Sequence, residues 1–200
     1  MKSPVTGVVG CRGATIPVGT YALVTPARNE ATFIEKTILS VVSQTVRPVK
    51  WVIVRMARRM VPRTLWSDMP RSTIGSNCFE RRSGQSGTSR RKRMLSIAVS
   101  RGWGGLDYDL IGNIDADISF EPDFFSFFLR KFEERPRLGV AGTAFAENGA
   151  GYDYRFASLD HVSGQCQLFR RECLESIGGY FASIHGGIDV MAVLAARMKG

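Results

Sequence analysis

Two carboxylates one residue apart, Asp115 and Asp117, close the apolar run Tyr108-Asp-Leu-Ile-Gly-Asn-Ile114. On a strand, that spacing turns both side chains to the same face. Hard oxygen ligands at the end of a strand are what Mg²⁺ or Mn²⁺ takes, and such a cation can bridge a diphosphate and neutralise the charge that grows as it leaves. The plainer alternative is an acidic strand-to-loop turn with solvated carboxylates, and D-x-D alone does not separate the two. The thiols offer less. Cys11, Cys78, Cys166 and Cys173 form no C-x-x-C pair and show no ligand spacing with His161 or His185, a pattern of reduced thiols rather than disulfides or zinc.

Carboxylates that work together need a rigid frame, and alternating strand and helix patterns supply one. After a lead of about twenty residues containing Gly and Pro, Tyr21-Ala-Leu-Val-Thr25 reads as a buried strand and Pro26-Ala-Arg-Asn-Glu30 as a turn. Ile34, Ile38, Val41 and Val42 recur at helical spacing between Ala31 and Gln44, and Trp51-Val-Ile-Val54 is a second apolar strand. Order returns at Tyr108 with the strand that carries the carboxylates, then a helix from Glu121 to Glu134 stopped by Pro136. Two further strands, Leu138 to Phe145 and Val162 to Phe169, precede a short helix from Arg170 to Ile177 ended by Gly178 and Gly179. A last helix begins near Asp189, and its apolar face of Met191, Val193, Leu194 and Met198 is still running at Gly200, the pattern expected of a chain cut short. The fold class is therefore α/β: a mostly parallel sheet covered by helices on both faces, with ligands in the crevice beyond the carboxyl ends of the strands.

The 200 residues suit one domain with a sizeable core, and 44% hydrophobic with 10% aromatic residues suits a globular protein. No apolar run approaches the roughly 18 residues of a transmembrane span, and the N-terminus lacks the apolar centre of a signal peptide. A cytoplasmic protein is expected, at most peripheral to the inner face of the membrane. The net charge of +9 is localised. Of the 27 basic and 18 acidic residues, twelve and two respectively lie between 55 and 101, which leaves fifteen basic and sixteen acidic residues elsewhere. The same stretch, from Arg55 to Trp103, sustains neither a strand nor a helix period.

Four segments, in order, resemble family 2 glycosyltransferases of the glycosyltransferase-A fold and together cover about three quarters of the chain. Val24-Thr-Pro-Ala-Arg-Asn-Glu30 is similar to the family's opening strand and P-x-x-N-E turn. Gly112-Asn-Ile-Asp-Ala-Asp117 resembles its D-x-D signature, and Phe120-Glu-Pro-Asp-Phe-Phe125 the helix entry that follows. Val162-Ser-Gly-Gln-Cys-Gln-Leu-Phe-Arg-Arg-Glu172, leading to Ile177-Gly-Gly-Tyr180, looks like the acceptor-side strand and helix. Gly186-Gly-Ile-Asp189 stands where the family carries its catalytic acid. The resemblance implies a nucleotide pocket lined by Pro26, Arg28, Asn29, Glu30 and Asp115. It implies a divalent cation on Asp115 and Asp117, with Asp189 as general base of an inverting transfer from a UDP- or GDP-sugar to a carbohydrate or lipid-linked acceptor. Where the family more often has two adjacent acids, this chain has Ile188 before Asp189, and an Asp opening a helix is also a preferred N-cap. His161 and His185 are read as surface residues, and Arg170 and Arg171 as an equally plausible solvated helix start.

After its second strand the family carries an acidic loop of the type D-G-S-T-D-G-T, and Arg55-Met-Ala-Arg-Arg-Met-Val-Pro62 is unlike it. Read from the third base of the Arg55 codon, Met56/Ala57 and Met60/Val61 each give Gly whatever the synonymous codons, and allowed codons for the rest give Asp-Gly-Ser-Thr-Asp-Gly-Thr. Residues from about 55 to 103 are therefore expected to be a frame-shifted translation, which accounts at once for the excess of Arg and the lost periodicity. Three competing functions differ in what they require. A nucleotidyltransferase would place a Gly-rich phosphate loop after the first strand, and Pro26 to Glu30 has no Gly. A nucleic-acid-binding module would interleave aromatics with the Arg run, and Phe79 stands alone inside its densest part. An inactive glycosyltransferase fragment would keep the frame and lose turnover.

Overall fold

The computed structural model describes residues 5–9, 19–27, 30, 32–55, 106–144, 146, 162–180 and 187–199. The segment expected to be frame-shifted lies outside them from residue 56 onward, as do Arg28, Asn29, His161 and His185. The strands are β1 (Val5–Val9), β2 (Tyr21–Ala27), β3 (Lys50–Arg55), β4 (Leu110–Ile114), β5 (Leu138–Thr143) and β6 (Cys166–Arg170). The helices are α1 (Ile34–Val42), α2 (Phe124–Glu134), α3 (Arg171–Ser176) and α4 (Ile188–Met198). The strands form one sheet in the order β1-β5-β6-β4-β2-β3. β2, β3, β4 and β5 run one way, and β6 and β1 run against them. The expected mostly parallel sheet is thus present, with β6 inserted antiparallel beside the strand that carries the carboxylates. β1 falls in the lead that sequence periodicity left without an element; it gains its order by pairing with β5.

Strand alternation sorts the core to two faces. Tyr21 and Leu23 of β2 pack with Ile34, Ile38 and Val41 of α1 and with Phe125, Phe128 and Phe132 of α2. Ala22 and Val24 face the opposite way, toward Cys173 and Leu174 of α3 and Ala192, Val193 and Ala196 of α4. Gln44 ties the first face together: its Nε2 donates to the Glu121 carbonyl (2.7 Å), and its Oε1 accepts the Phe125 N–H (3.1 Å). α3 ends as the paired glycines predict. The Gly178 N–H reaches the Glu175 carbonyl and the Gly179 N–H the Leu174 carbonyl, with φ of 75° and 81°, values that a side chain would make costly.

Two element boundaries differ from the sequence reading, each for a physical reason. Pro26 is buried inside β2 opposite Val54, rather than in a turn. Proline is tolerated there because β4 pairs with β2 only from Tyr21 to Val24, so the missing N–H falls beyond that ladder. The expected strand from Val162 begins only at Cys166, because Gly164 and Gln165 form a turn. No described helix is long and apolar enough to cross a membrane.

Burial carries a pH consequence. Desolvation raises the pKa of the Tyr21 phenol, whose hydroxyl donates to the Val46 carbonyl (2.6 Å), and that of Tyr108. It also raises the Cys166 thiol, with the negative charge of Asp115 adding to the effect. The unfolded chain releases these protons near the ordinary values of 9.0 for Cys and 10.0 for Tyr, while the native state holds them. Native protein therefore binds more protons in this range, and stability must fall as pH rises through it. The expected result is a flat melting midpoint between pH 7 and 8.5 and a progressive drop from about pH 9 upward; calorimetric scans that stay flat to pH 11 would contradict it.

Candidate functional site

The carboxyl ends of β2, β3 and β4 lie side by side, and Asp115 is the first residue past β4. β4 stops at Ile114, so Asp115 and Asp117 do not share a strand face as expected from their spacing. Two bonds turn the chain here. The Asp115 N–H donates to the Gln165 carbonyl (2.9 Å), and the Ala116 carbonyl accepts the Thr37 hydroxyl of α1 (2.9 Å). Asp115 is left half-buried and Asp117 exposed, both at the crevice end of the sheet. Among the described residues no group of three or more His, Cys, Asp or Glu side chains is gathered around a cation position. Two hard carboxylates nevertheless fit Mg²⁺ or Mn²⁺, whose remaining positions are commonly filled by water and phosphate oxygens. Cys166, opposite Ile114 in the β4–β6 ladder, is buried with its thiol pKa raised, so it is an inert neighbour rather than a ligand or nucleophile.

The opening residues of the nucleotide-pocket motif are divided. Pro26 is buried at the end of β2, and the Glu30 carbonyl accepts the N–H groups of Phe33 (3.1 Å) and Ile34 (2.9 Å) just ahead of α1. Glu30 itself is half-buried.

Asp189 is brought to the same region by α4. Gly187, at φ 66°, occupies the N-cap position, and Asp189 is the second helical residue, so the N-cap alternative for this carboxylate does not hold. Its carboxylate lies directly on the backbone of Gly164, and its carbonyl accepts Gln167 Nε2 (3.4 Å). Asp189 and Asp115 therefore flank one turn, Ser163–Gln165: Asp115 binds its backbone at Gln165, and Asp189 packs on it at Gly164.

Several polar residues of this turn and its strands were not singled out from sequence. Asn113 Nδ2 donates to the Gly164 carbonyl (3.2 Å), and Gln167 Nε2 donates to the Val162 carbonyl (3.0 Å) while its Oε1 accepts the Tyr180 hydroxyl (2.8 Å). Asn113 Oδ1 and Gln165 Oε1 are buried and accept nothing from the described residues. The signal was there: Asn113 and Gln167 are amides inside apolar strand runs, Gln165 stands in the turn just before one, and buried amides need partners. Arg170 also departs from the solvated reading. Its guanidinium donates to the Phe132 and Leu138 carbonyls and lies over the Phe132 ring, closing the end of α2 onto β5 and β6. Arg171 is half-buried, bonded to Glu175 (2.9 Å) and lying over the Tyr108 ring.

Neither a family model nor a curated protein matches the sequence. Solved structures do. The mannosyltransferase PcManGT from Pyrobaculum calidifontis, in complex with GDP-Man and Mn²⁺, superposes with a TM-score of 0.65 at 17% identity over 100% of this chain and 56% of its own. TarS 1-349 of S. aureus, in complex with UDP-GlcNAc, gives 0.63 at 13% identity over 90% of this chain and 54% of its own. The chain thus spans about half the length of these structural neighbours. At such identities the likeness speaks for architecture: the chain has the Rossmann-like glycosyltransferase-A fold.

Proposed function

We propose that this chain is the donor-binding part of a family 2 glycosyltransferase, which moves a sugar from a UDP- or GDP-sugar to a carbohydrate or lipid-linked acceptor hydroxyl with inversion. The observation that carries the reading is the meeting of Asp115 and Asp189 at the Ser163–Gln165 turn, beyond the carboxyl end of β4. Pro26 and Glu30, with Arg28 and Asn29, line the nucleotide side. Asp115 and Asp117 would hold Mg²⁺ or Mn²⁺, which would supply positive charge to the departing diphosphate. Asp189 takes the proton of the acceptor hydroxyl as its oxygen attacks the anomeric carbon; the bond to the diphosphate oxygen breaks, and the configuration inverts. Such an enzyme would work in the cytoplasm, at or near the inner face of a membrane where a lipid-linked acceptor is presented. Titration of UDP and GDP into the frame-corrected protein, in the presence of Mn²⁺ and then of a chelator, tests the reading: metal-dependent binding of one nucleotide supports it, and absence of binding by both removes it.

The segment from about 55 to 103 belongs to the same proposal, because it stands where the family's ribose- and base-binding acidic loop would be. We read it as a frame-shifted translation. Sequencing of the coding DNA is expected to show a base inserted or lost near codon 55 and compensated near codon 104. A verified frame that encodes the Arg-rich stretch would overturn this.

A further inference from the structure

Three contacts converge on the Ser163–Gln165 turn, two from β4 and the residue that follows it and one from α4. The Gln165 carbonyl accepts the Asp115 N–H (2.9 Å), Asn113 Nδ2 of β4 donates to the Gly164 carbonyl (3.2 Å), and Asp189 of α4 presses on Gly164. A Cβ placed on Gly164 would stand 2.9 Å from Asp189 Cγ and 3.0 Å from Asp189 Cβ, with Oδ2 nearer still. Real Cβ atoms essentially never come so close. Gly164 does not have the positive φ of Gly178, Gly179 and Gly187, so what glycine provides here is space and not a backbone conformation. The space it leaves is filled by one carboxylate. Asn113 acts from below: an amide in a strand run of Leu, Ile and Gly, 5% exposed, it spends its N–H on the glycine's carbonyl. A flipped amide would set two oxygens against each other, so the bond fixes both the amide and the turn.

We propose that the Ser163–Gln165 turn is the spacer that sets Asp189 relative to Asp115, with Gly164 and Asn113 as its positioning residues. This rests on the transfer reading for its purpose, though not for its geometry. Catalytic groups held by packing and hydrogen bonds keep their separation without reorganisation, and misplacement by about 1 Å can cost roughly a hundredfold in rate. A glycine whose absent side chain defines where a carboxylate stops is a device of that kind. Gly164→Ala would push the Asp189 carboxylate away from the turn and leave Asp117 untouched.

The test is a double-mutant cycle read by thermal unfolding of the chain. Gly164→Ala alone is expected to lower the melting midpoint by about 5 °C, as overpacking of a filled site does. In an Asp189→Ala background the same change should cost little, because Oδ2 and Cγ, the two nearest atoms, are gone. Gly112→Ala is the control: its Cβ would meet Leu23 and Leu168, so its loss should be equal in both backgrounds. Equal losses for Gly164→Ala in both backgrounds overturn the proposal. If Gly164→Ala does not fold, recovery in the double variant supports the spacer, and failure there overturns it. The second arm measures glycosyl transfer, where Gly164→Ala and Asn113→Ala should lower kcat roughly tenfold or more while nucleotide affinity changes by less than about twofold. Full turnover in Gly164→Ala despite a coupled cycle overturns the positioning role. A parental protein that transfers no sugar removes the proposed function and leaves the steric cycle standing on its own.

Discussion

Asp117→Ala is expected to abolish the Mn²⁺ dependence of nucleoside-diphosphate binding without unfolding the protein. Asp117 is exposed in the turn after β4, so its loss takes away no buried contact and should change stability by no more than about 0.5 kcal/mol. The effect on the metal is of another order. Loss of an outer-shell partner alone costs metal affinity roughly 10- to 100-fold, and removal of one of the two carboxylates proposed to hold the cation should cost more. Calorimetric titration of UDP or GDP into the frame-corrected protein, with Mn²⁺ and with chelator, reads this directly. The variant should show the weak, metal-independent isotherm that the parental protein gives with chelator. Affinity in Asp117→Ala that still responds to Mn²⁺ as the parental protein does would take Asp117 out of the site. Asp115→Ala is the less clean experiment, because that residue is half-buried beside Cys166 and its backbone belongs to the turn.

The frame around these residues was legible in sequence wherever one period dominated. β2, β3 and β4 are continuous apolar runs because both faces of the sheet are covered, and α2 repeats its phenylalanines at helical spacing with Phe125, Phe128 and Phe132 fully buried. What escaped depends on partners distant in the chain. β1 is a strand because β5 offers an edge, which no local pattern announces. The turn at Gly164 interrupts an otherwise strand-like run because Asn113 and Asp189, 51 and 25 residues away, close on it from two sides. Asp115 and Asp117 drew notice by type and spacing, but the face they present was misread. A period-two rule assumes a strand, and the Thr37 hydroxyl and the Gln165 carbonyl bend the chain just where the carboxylates begin. Asp189 was identified by its place in an ordered resemblance. Its distance from a cap role became visible only with Gly187 seen in the N-cap position.

That correction sharpens what Asp189→Asn can decide. With Gly187 at the N-cap, Asp189 makes no side-chain cap bond and contributes to α4 only as a first-turn carboxylate, an effect of about 0.3–1 kcal/mol for the helix dipole. Asparagine has the same shape, so the packing on Gly164 is preserved and the melting midpoint should fall by only a few degrees. A general base, by contrast, is lost outright, because the amide cannot accept a proton at neutral pH. Glycosyl transfer by the frame-corrected enzyme should therefore fall roughly 10²- to 10⁴-fold, with the loss in kcat. Metal-dependent nucleotide affinity should survive, since Asp189 touches the turn at Gly164 and is assigned to the acceptor, whereas the Asp115 N–H binds the turn at Gln165. The ratio of the two effects separates the roles: a helix-dipole carboxylate loses stability and little else, while a base loses turnover and little else. If Asp189→Asn turns over at the parental rate, the proton of the acceptor hydroxyl leaves by another group and Asp189 serves α4 alone. If it loses nucleotide binding together with turnover, its carboxylate works on the donor side of the turn, and the division of labour between Asp189 and the Asp115–Asp117 pair has to be reversed.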